Sequence, residues 1–461
     1  MGHVYISAAH KSSGKTTLSI GLCAALREQG HVVQPFKKGP DYIDPLWLAQ
    51  AAGRACYNLD FYTMQRSEIG DLFARAMRGA DIGVIEGNKG LYDGLALDGS
   101  NSNAALAAQL GSPIVLVLDS QGMTRGVAPL ILGYQAFDPA IRIAGVILNK
   151  VGGRRHEAKL RAVIEHYTDV KVLGSVQRDP DLQIDERHLG LVPSNELVGS
   201  PAHIAKMARQ LREQVDLDAL RAVADAAPPV AQPVANQSRG QRAADLTIAY
   251  AVDSAFGFYY AGDLEGLRAA GANLVPFSPL EDRELPVCDG LFLGGGFPET
   301  HMDALETNHA MRVDIAGFIN RGGPVYAECG GLMYLCEDLT WQGNTRKLCG
   351  VIPAGVQMHD RPQGRGYVRL RETTAHPWPR LGQTLTETSA HEFHYSALTA
   401  LPDGLEFAYD VERGFGLDGK RDGIVYRNLL ASYAHLRNTQ AHPWAERFVE
   451  FVRRVTAGSR G

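Results

Sequence analysis

This 461-residue sequence lacks the features that mark nucleic-acid-binding, exported and membrane-spanning chains. Its formal net charge is −5, from 46 Lys and Arg against 51 Asp and Glu, which gives no sign of a basic surface for a nucleic acid. No apolar run reaches the roughly 20 residues that span a bilayer. The first residues enter a short strand-like segment without a secretory leader, so we expect a cytoplasmic protein with no membrane partner.

The six cysteines, at positions 23, 56, 288, 329, 336 and 349, show no paired spacing. Metal sites built from Cys use short repeated spacings, and disulfide frameworks belong mainly to exported chains. We therefore expect reduced thiols and neither kind of site. Length predicts two or three domains, because single cores stop growing beyond about 250–300 residues.

Alternation of short apolar runs with helical periodicity predicts an α/β fold with a parallel sheet covered on both faces. In the first part of the chain the apolar runs are 3–8, 32–36, 82–86, 114–119, 143–149 and 170–176. In the second part they are 246–250, 290–293, 324–327 and 429–434, with a final helix from about 441. A stretch rich in Pro, Ala and Gln separates the parts. The predicted organisation is a domain at 1–224, a linker at 225–244 and a domain at 245–457.

The first motif is a phosphate-binding loop in residues 5–17, YISAAHKSSGKTT. An apolar strand ends, small residues follow, and Lys15 opens a helix whose first N–H groups can hold phosphate oxygens. Lys15 adds positive charge and Thr16 can ligate Mg²⁺. The full motif has Gly where this chain has Ala9, so an incidental glycine turn is the alternative. The residues predicted to bind the nucleotide are Ser13, Gly14, Lys15, Thr16 and Thr17.

Two carboxylate-bearing loops follow later strands of the same part. KKGPDYIDP carries Asp41 and Asp44, and VIEGNKGLYDG carries Glu86 at a strand end. Loops at the carboxyl ends of parallel strands meet at one crevice, and phosphoryl transfer needs carboxylates that hold a metal ion. A turn cap at Asp44 and a solvated Glu86 are the alternatives. The predicted metal ligands are Thr16, Asp41 and Glu86.

Asn149 follows the apolar run IAGVIL at another strand end. That position places it on the same edge of the sheet as the phosphate loop. We predict that it hydrogen-bonds the adenine edge of the nucleotide, while a role in forming a turn is the alternative.

The second motif places a thiol in a strand-to-helix turn, YAECGGLMYL (326–335). A nucleophile on such an elbow is exposed to substrate, and neighbouring backbone N–H groups can stabilise an oxyanion. The helix N-terminus favours the thiolate of Cys329 over the thiol, and a buried structural cysteine is the alternative. A second glycine cluster, LGGGFPE (293–299), follows another strand. The predicted oxyanion site consists of Gly295, Gly296 and Gly330.

A thiol nucleophile needs a base, and three histidines in the second part are candidates. His435 ends a buried strand in LLASYAHLR and is the preferred base. His391 and His394, in HEFHYS, are the alternatives. Arg437 stands where many related enzymes carry Glu, and Glu392 is the predicted substitute that orients the imidazole.

These motifs resemble the cobyrinic acid a,c-diamide synthase family over nearly the whole chain and in the same order. AECGGLMYL, GGGFPE, HEFHYS and SYAHL resemble its glutamine amidotransferase domain. SSGKTT, KKGPDYIDP, CYNLD, GLYDG and RDPDLQIDERHLGL resemble its synthetase domain. The resemblance implies an N-terminal P-loop domain of the dethiobiotin synthetase type, a C-terminal α/β domain of the class I glutamine amidotransferase type, and a homodimer.

The resemblance also implies a reaction that uses ATP, Mg²⁺ and glutamine. Cys329 would attack the glutamine carboxamide and release ammonia, with His435 moving protons. ATP would phosphorylate an acetate carboxylate of a tetrapyrrole, and ammonia would displace the phosphate to leave an amide at the a and c side chains in turn. The residues expected at phosphoryl transfer and beside the tetrapyrrole are Asp41, Tyr42, Ile43, Asp44, Lys89, Ser100 and Asn101.

Two stretches depart from the common family pattern. Asn88-Lys89 stands where a more apolar pair is expected, and GSNSNAALA (99–107) replaces a less amide-rich loop. Lys89 either meets a carboxylate of the ring or is solvated. These differences resemble a branch that amidates sirohaem; cobyrinate, hydrogenobyrinate and a nickel sirohydrochlorin are the other candidate substrates. The alternative functions are a cobyric acid synthase-like amidase and a partitioning-type ATPase scaffold with a non-catalytic second domain.

Overall fold

The computed structural model describes residues 1–187, 190–230, 242–382, 387–399 and 401–459. Two compact units make up the chain: the N-terminal unit of residues 1–61 and 65–234, and the C-terminal unit of residues 62–64 and 235–461. The predicted linker falls largely outside the described residues, and the predicted domain bounds stay a prediction. Within the described ranges, each helix is too short or too polar to cross a membrane.

The N-terminal unit alternates strands and helices as the apolar pattern predicts. Its strands are β1 (Gly2–Ala8), β2 (Val33–Lys38), β3 (Tyr57–Leu59), β4 (Ile82–Glu86), β5 (Ile114–Asp119), β6 (Ile143–Val151), β7 (Lys171–Gln177), β8 (Glu186–Arg187) and β9 (Gly190–Leu191). Its helices are α1 (Lys15–Glu28), α2 (Ile43–Ala52), α3 (Arg66–Ala76), α4 (Asn103–Leu110), α5 (Val127–Phe137), α6 (Arg154–Tyr167), α7 (Ser200–Gln214) and α8 (Leu217–Asp225), with a 3-10 turn at Pro180–Leu182.

The main sheet of this unit is parallel, in the order β3-β2-β4-β1-β5-β6-β7. β1 and β5 are buried along nearly their whole length, as expected for largely apolar strands in a sheet covered on both faces. β1 lies between β4 and β5, so the loops that follow β1 and β4 leave the same edge side by side. The parallel sheet is confirmed, and the six predicted strands end within two residues of the observed bounds. β3 was not predicted, because three residues are too few for a pattern.

The C-terminal unit has a larger share of strands. They are β10 (Leu246–Ala251), β11 (Phe256–Phe258), β12 (Ala272–Phe277), β13 (Gly290–Leu293), β14 (Gly295–Gly296), β15 (Val325–Glu328), β16 (Cys336–Trp341), β17 (Asn344–Lys347), β18 (Ile352–Met358), β19 (Gly364–Glu372), β20 (Glu387–His394), β21 (Ser396–Leu398), β22 (Glu406–Arg413), β23 (Arg421–Tyr426) and β24 (Leu429–Ser432). Its helices are α9 (Ala261–Ala269), α10 (Met302–Thr307), α11 (His309–Asn320), α12 (Gly330–Leu335) and α13 (Trp444–Ser459), with a 3-10 turn at Pro298–His301.

The main sheet of the C-terminal unit is mixed, in the order β12-β10-β13-β15-β24-β23-β22-β19-β20. The strands from β12 to β24 run parallel, and those from β24 to β20 are antiparallel. β15 pairs with β13 on one side and with β24 on the other. The segments that follow these three strands therefore share one edge of the sheet.

Alternating residues give each face of this sheet its own core. Leu291 and Leu293 belong to one cluster of buried side chains, whereas Phe292 between them belongs to another, as the period of two in a strand requires. Phe292 stacks on Tyr326 of β15 with ring centroids 5.3 Å apart, and Trp444 of α13 packs edge-on against it at 5.3 Å. This packing holds β13 and β15 firmly in register at the edge that carries the second motif.

Candidate active sites

The phosphate loop connects β1 to α1 and is held in place from β6. Gly14 caps α1 with φ of 90°, a left-handed conformation that favours glycine. The side-chain nitrogen Nδ2 of Asn149 donates to the carbonyl oxygen of Ser13 at 2.9 Å. A Cβ on Gly14 would lie only 2.1 Å from that nitrogen. The loop therefore requires glycine at position 14 for two reasons, conformation and space.

Asn149 has a role that the sequence did not indicate. Its Nδ2 donates a hydrogen bond to the phosphate loop and so positions that loop. Contact between Asn149 and adenine stays a prediction. Within the loop, Ser13 donates through Oγ to the carbonyl of His10 at 2.8 Å. Burial lowers the pKa of Lys15 to about 8, against the opposing effect of the Glu86 carboxylate.

The predicted carboxylates converge on the loop, but not as predicted in detail. Thr16 donates through Oγ1 to Glu86 at 2.7 Å and to Asp44 at 3.2 Å. Asp41 instead accepts the backbone N–H of Asp44 at 3.0 Å. Its pKa is raised to about 7, by burial and then by the nearby charge of Asp44, with Lys37 opposing. The second carboxylate at Thr16 is therefore Asp44, and Asp41 as a metal ligand stays a prediction.

Lys37 lies at the centre of this carboxylate cluster and was missed by the sequence reasoning. Its Nζ donates to Glu86 at 3.0 Å, contacts Asp44 and lies 3.8 Å from Asp41. The Lys37 side chain is 3% exposed and Glu86 is 0% exposed, so the charges must neutralise one another. A lysine at the end of the buried run VQPFKK was the available signal.

The cluster fits a magnesium ion that is completed by phosphate and water. Among the described residues no three His, Cys, Asp or Glu side chains form a metal-binding group. Mg²⁺ is commonly held by one or two carboxylates plus substrate phosphates, so such a group is not required. Oε2 of Glu86 is buried and has no hydrogen-bond partner in the described part of the chain. Thr16, Glu86 and Asp44 are the residues that could hold the ion.

The loop after β4 is shaped by asparagines rather than left free for a ligand. Asn103 accepts the hydroxyl of Tyr5 at 2.9 Å and the N–H of Asn88 at 3.0 Å. The side-chain oxygen of Asn101 accepts two N–H groups, from Leu95 at 2.8 Å and from residue 96 at 3.2 Å. Much of the amide-rich stretch therefore serves loop structure, and Asn103 is a residue that the sequence reasoning missed.

The remaining residues predicted beside the tetrapyrrole differ in exposure. Tyr42 and Ile43 are buried at the start of α2, whereas Lys89 and Ser100 are exposed. Lys89 has φ of 42°. Burial lowers the pKa of Lys38 to about 8. The negative charge of Asp60 opposes this shift, and the positive charge of Lys89 adds to it. Contact between these residues and a tetrapyrrole stays a prediction.

Cys329 sits on a strained turn between β15 and α12. Its φ is 48° and its ψ is −103°, a conformation that non-glycine residues adopt only under constraint. Its backbone N–H donates to the carbonyl of Ser432 at 2.8 Å, which ties the turn to the end of β24. Cys329 is 6% exposed. The predicted elbow is present.

Glycines surround this turn because backbone segments approach too closely for side chains. A Cβ on Gly330 would lie 2.9 Å from the backbone nitrogen of Gly296, and one on Gly331 would lie 2.1 Å from the carbonyl oxygen of Leu293. A Cβ on Gly295 would lie 2.7 Å from the His435 ring. The two glycine clusters thus pack against each other and against the imidazole, and their role as oxyanion donors stays a prediction.

The carboxylate beside His435 is Glu328, the residue immediately before the nucleophile. Nδ1 of His435 lies 3.3 Å from Oε2 of Glu328. The other oxygen, Oε1, accepts the N–H of Leu436 at 2.8 Å and a hydrogen bond from the hydroxyl of Tyr326. Burial lowers the pKa of His435, but hydrogen bonds with Cys329 and Glu328 outweigh it and raise the pKa to about 10.

Glu392, the predicted orienting carboxylate, is engaged elsewhere. Its oxygens accept the N–H groups of Phe415 at 2.7 Å and Gly416 at 2.8 Å. The prediction was wrong because Glu328 already occupies the position against the imidazole. Arg437 lies with its guanidinium over the ring of Tyr260, 4.4 Å from the centroid.

The C-terminal site combines a thiol, an imidazole and a carboxylate at a strand-to-helix elbow. The N-terminal site combines a phosphate loop with converging carboxylates. Together these sites define a glutamine-dependent amidotransferase with a nucleotide-binding domain. The model of the CobB/CobQ-like glutamine amidotransferase domain matches residues 247–442, and that of the CobQ/CobB/MinD/ParA nucleotide binding domain matches residues 6–192.

Comparison with curated proteins identifies the family. The chain is 47% identical to the cobyrinate a,c-diamide synthase of Magnetococcus marinus, over 98% of this chain and 97% of the relative. It is 40% identical to the synthase of Methanosarcina acetivorans, over 97% of this chain and 94% of the relative. It is 39% identical to the synthase of Archaeoglobus fulgidus, over 97% of this chain and 96% of the relative. The chain belongs to the cobyrinate a,c-diamide synthase family of ligases, which use ATP, Mg²⁺ and glutamine.

Replacing Gly14 with Ala tests the fit between the phosphate loop and Asn149. The new Cβ would displace the Asn149 amide and strain the backbone, each at about 1 kcal/mol or more, so Gly14→Ala should bind ATP about tenfold or more weakly by calorimetry. Gly30 follows the other end of α1 with φ of 92° and open space around a Cβ. Gly30→Ala is therefore the matched control and should keep its ATP affinity. Equal affinities in the two variants would contradict this account of the loop.

Exchanging each carboxylate for its amide tests which one serves His435. Glu328→Gln removes a charge that favours the imidazolium, so the His435 pKa should fall and its limb of the kcat/KM profile for glutamate release should move to lower pH. We expect kcat to fall by about 10²–10⁴-fold, since an amide cannot stabilise the imidazolium. Glu392→Gln should leave the position of that limb unchanged. The assignment fails if the shift occurs in Glu392→Gln and not in Glu328→Gln.

Proposed function

We propose that this chain converts the a and c acetate side chains of cobyrinate into carboxamides. The observation that carries the proposal is the pair of assembled sites, one for nucleotide and one for glutamine, in a chain whose relatives at 47% and 40% identity are cobyrinate a,c-diamide synthases. Hydrogenobyrinate offers the same carboxylates and is included in the substrate class.

In the C-terminal unit the sulfur of Cys329 attacks the carboxamide carbon of glutamine. The C–N bond breaks as His435 gives its proton to the leaving nitrogen, which leaves as ammonia, and a thioester remains on Cys329. Glu328, which accepts a hydrogen bond from the Tyr326 hydroxyl, holds the imidazole during both steps. Water then attacks the thioester, His435 takes its proton, and the C–S bond breaks to release glutamate and the thiolate of Cys329.

In the N-terminal unit a carboxylate oxygen of the tetrapyrrole attacks the γ-phosphorus of ATP. ADP leaves and an acyl phosphate forms, which converts a poor electrophile into a good one. Ammonia attacks the acyl carbon, phosphate leaves, and a proton is lost to give the amide. Lys15 and Lys37 are placed to offset the charge on the phosphates. Thr16, Glu86 and Asp44 would hold Mg²⁺, which would supply positive charge beside the phosphate oxygens.

The structure removes part of the basis for preferring sirohaem as the substrate. That preference came from the amide-rich loop and from Asn88-Lys89. Asn101 and Asn103 are explained by hydrogen bonds within the loop, so they say little about the ring. The relatives, named for cobyrinate, then give the stronger support. The scaffold alternative has little support either, because Cys329, His435 and Glu328 are assembled for chemistry.

We also propose that the enzyme is a homodimer in the cytoplasm that binds neither nucleic acid nor membrane. Support for the dimer comes from α5, where Leu132 is 44% exposed and Phe137 is 74% exposed. Phe137 also lines a cavity of about 620 Å³ together with Leu95 and Leu97. Support for the compartment comes from six free cysteines, all of them in the described residues.

Mass spectrometry of products tests the reaction and the ring together. With ATP and glutamine, the enzyme should add two amides to cobyrinate and none to sirohaem. Cys329→Ala should lose glutamate release and retain amidation when ammonium chloride replaces glutamine, because only the nitrogen source is damaged. Amides on sirohaem alone would overturn the choice of ring. ATP hydrolysis without glutamate release by the parent enzyme would support the scaffold.

Sedimentation velocity tests the dimer. Phe137→Asp places a charge in the proposed apolar interface and should shift the protein from dimer to monomer, because a buried unpaired charge costs several kcal/mol. Val287, 98% exposed in the C-terminal unit, provides the control, and Val287→Asp should remain dimeric. A parent protein that is monomeric at micromolar concentration would refute the proposal.

A further inference from the structure

The motif HEFHYS contains a histidine that the glutaminase reaction has not yet used. His391 of β20 forms an isolated antiparallel bridge with His435. The N–H of His435 donates to the carbonyl of His391 at 2.7 Å, and the N–H of His391 donates back to the carbonyl of His435 at 3.2 Å. Residues that exchange both hydrogen bonds in this way project their side chains to the same face. The ring centroids are accordingly 6.5 Å apart, with 33° between the planes.

The His391 ring has a nitrogen available for a ligand. Its Nδ1 is buried and has no hydrogen-bond partner among the described residues, which is costly unless a ligand or water satisfies it. On the neighbouring strand β19, the ring of Tyr367 stands edge-on to it at 6.1 Å. Burial, and then the charge of His435, lower the His391 pKa to about 3. The ring is therefore neutral at physiological pH.

The second histidine of the motif has a different environment. Nδ1 of His394 lies 2.8 Å from the carbonyl oxygen of Ser396, and its ring stacks on Tyr433 with centroids 3.9 Å apart. Its Nε2 is also buried without a hydrogen-bond partner among the described residues, and it lies 3.8 Å from Oε2 of Glu392. Of the two histidines in HEFHYS, His391 is the one that stands beside the imidazole of the reaction.

Ammonia forms next to His435, because that residue protonates the leaving nitrogen. The product is useful only while it stays unprotonated, since ammonium has no lone pair with which to attack an acyl phosphate. A group that binds it there must accept a hydrogen bond without supplying a proton. A neutral imidazole with its proton on Nε2 does this through the lone pair of Nδ1.

We propose that His391 binds the released ammonia: its Nδ1 accepts a hydrogen bond from the ammonia that forms beside His435. No covalent bond is made or broken at His391, and ammonia keeps its three protons and its lone pair. The residue acts after C–N cleavage, so it affects how much ammonia reaches the acceptor rather than how fast glutamine is cleaved. This inference rests on the proposed amidation of cobyrinate.

The experiment measures amide formed per glutamate released, with cobyrinate, ATP and glutamine. His391→Phe keeps a ring of similar shape and removes the acceptor, and the ratio should fall about fivefold, the typical effect of one hydrogen bond. The rate of glutamate release should stay near that of the parent enzyme. His391→Asn places an oxygen close to the position of Nδ1 and should restore the ratio. His394→Asn, which removes an imidazole from the same strand, should leave the ratio unchanged.

Amidation with ammonium chloride as the nitrogen source distinguishes failure of this inference from failure of the proposed function. It should be the same in the parent and in every His391 variant, because it does not use the glutaminase site. An unchanged ratio in His391→Phe would overturn the inference, and so would loss of glutamate release, which would place His391 in glutamine cleavage instead. A parent enzyme that amidates cobyrinate with neither nitrogen source would refute the proposed function itself. A ratio that falls equally in His391→Phe and His391→Asn would also overturn the inference, because an acceptor close to the position of Nδ1 would then have no effect.

Discussion

The C-terminal site depends on one constraint, which is that glycine backbone segments pack very closely around Cys329. The turn holds a non-glycine residue at φ of 48°, and such strain persists only where the surroundings fix it. Gly330 and Gly331 on one side and the cluster from Gly294 to Gly296 on the other leave no space for a Cβ. With the N–H of Cys329 bonded to Ser432, three neighbouring strand ends are joined at one point. The sulfur, the imidazole and the surrounding amides can meet there only because side chains are absent.

The N-terminal site is organised by charge rather than by steric fit. Lys37 lies within hydrogen-bond reach of both Asp44 and Glu86 in a buried place, where an unpaired charge would cost several kcal/mol. These ion pairs offset the free-energy cost of burying the charges, and they also hold the groups in position before ATP binds. Such preorganised charge is the usual source of catalysis in phosphoryl transfer. Both units place their chemistry at the carboxyl edge of parallel strands, so the same topological rule serves two different reactions.

Residues that act next to their own motif were predictable, and those that act across the sheet were not. Lys15, Thr16 and Cys329 belong to local patterns, in which a strand end and a helix start specify the geometry. Glu328 and His435 are 107 positions apart, and nothing in either stretch reveals that β15 and β24 are neighbours. Glu392 was the predicted orienting carboxylate, but its oxygens accept the backbone N–H groups of another loop. Lys37 was overlooked because a lysine at a strand end is usually solvated, and only the surrounding carboxylates explain its burial.

The sequence by itself determined the alternating α/β fold, the two motifs and the family, because strand period, glycine placement and loop chemistry are local properties. Tertiary structure decided which carboxylate serves each site and which histidine stands beside the base. It also showed that Asn149 and Asn103 support loops. These outcomes depend on strand order and register, which bring distant residues within hydrogen-bond distance. Strand order is a property of the whole packed sheet, so no single stretch of sequence contains it.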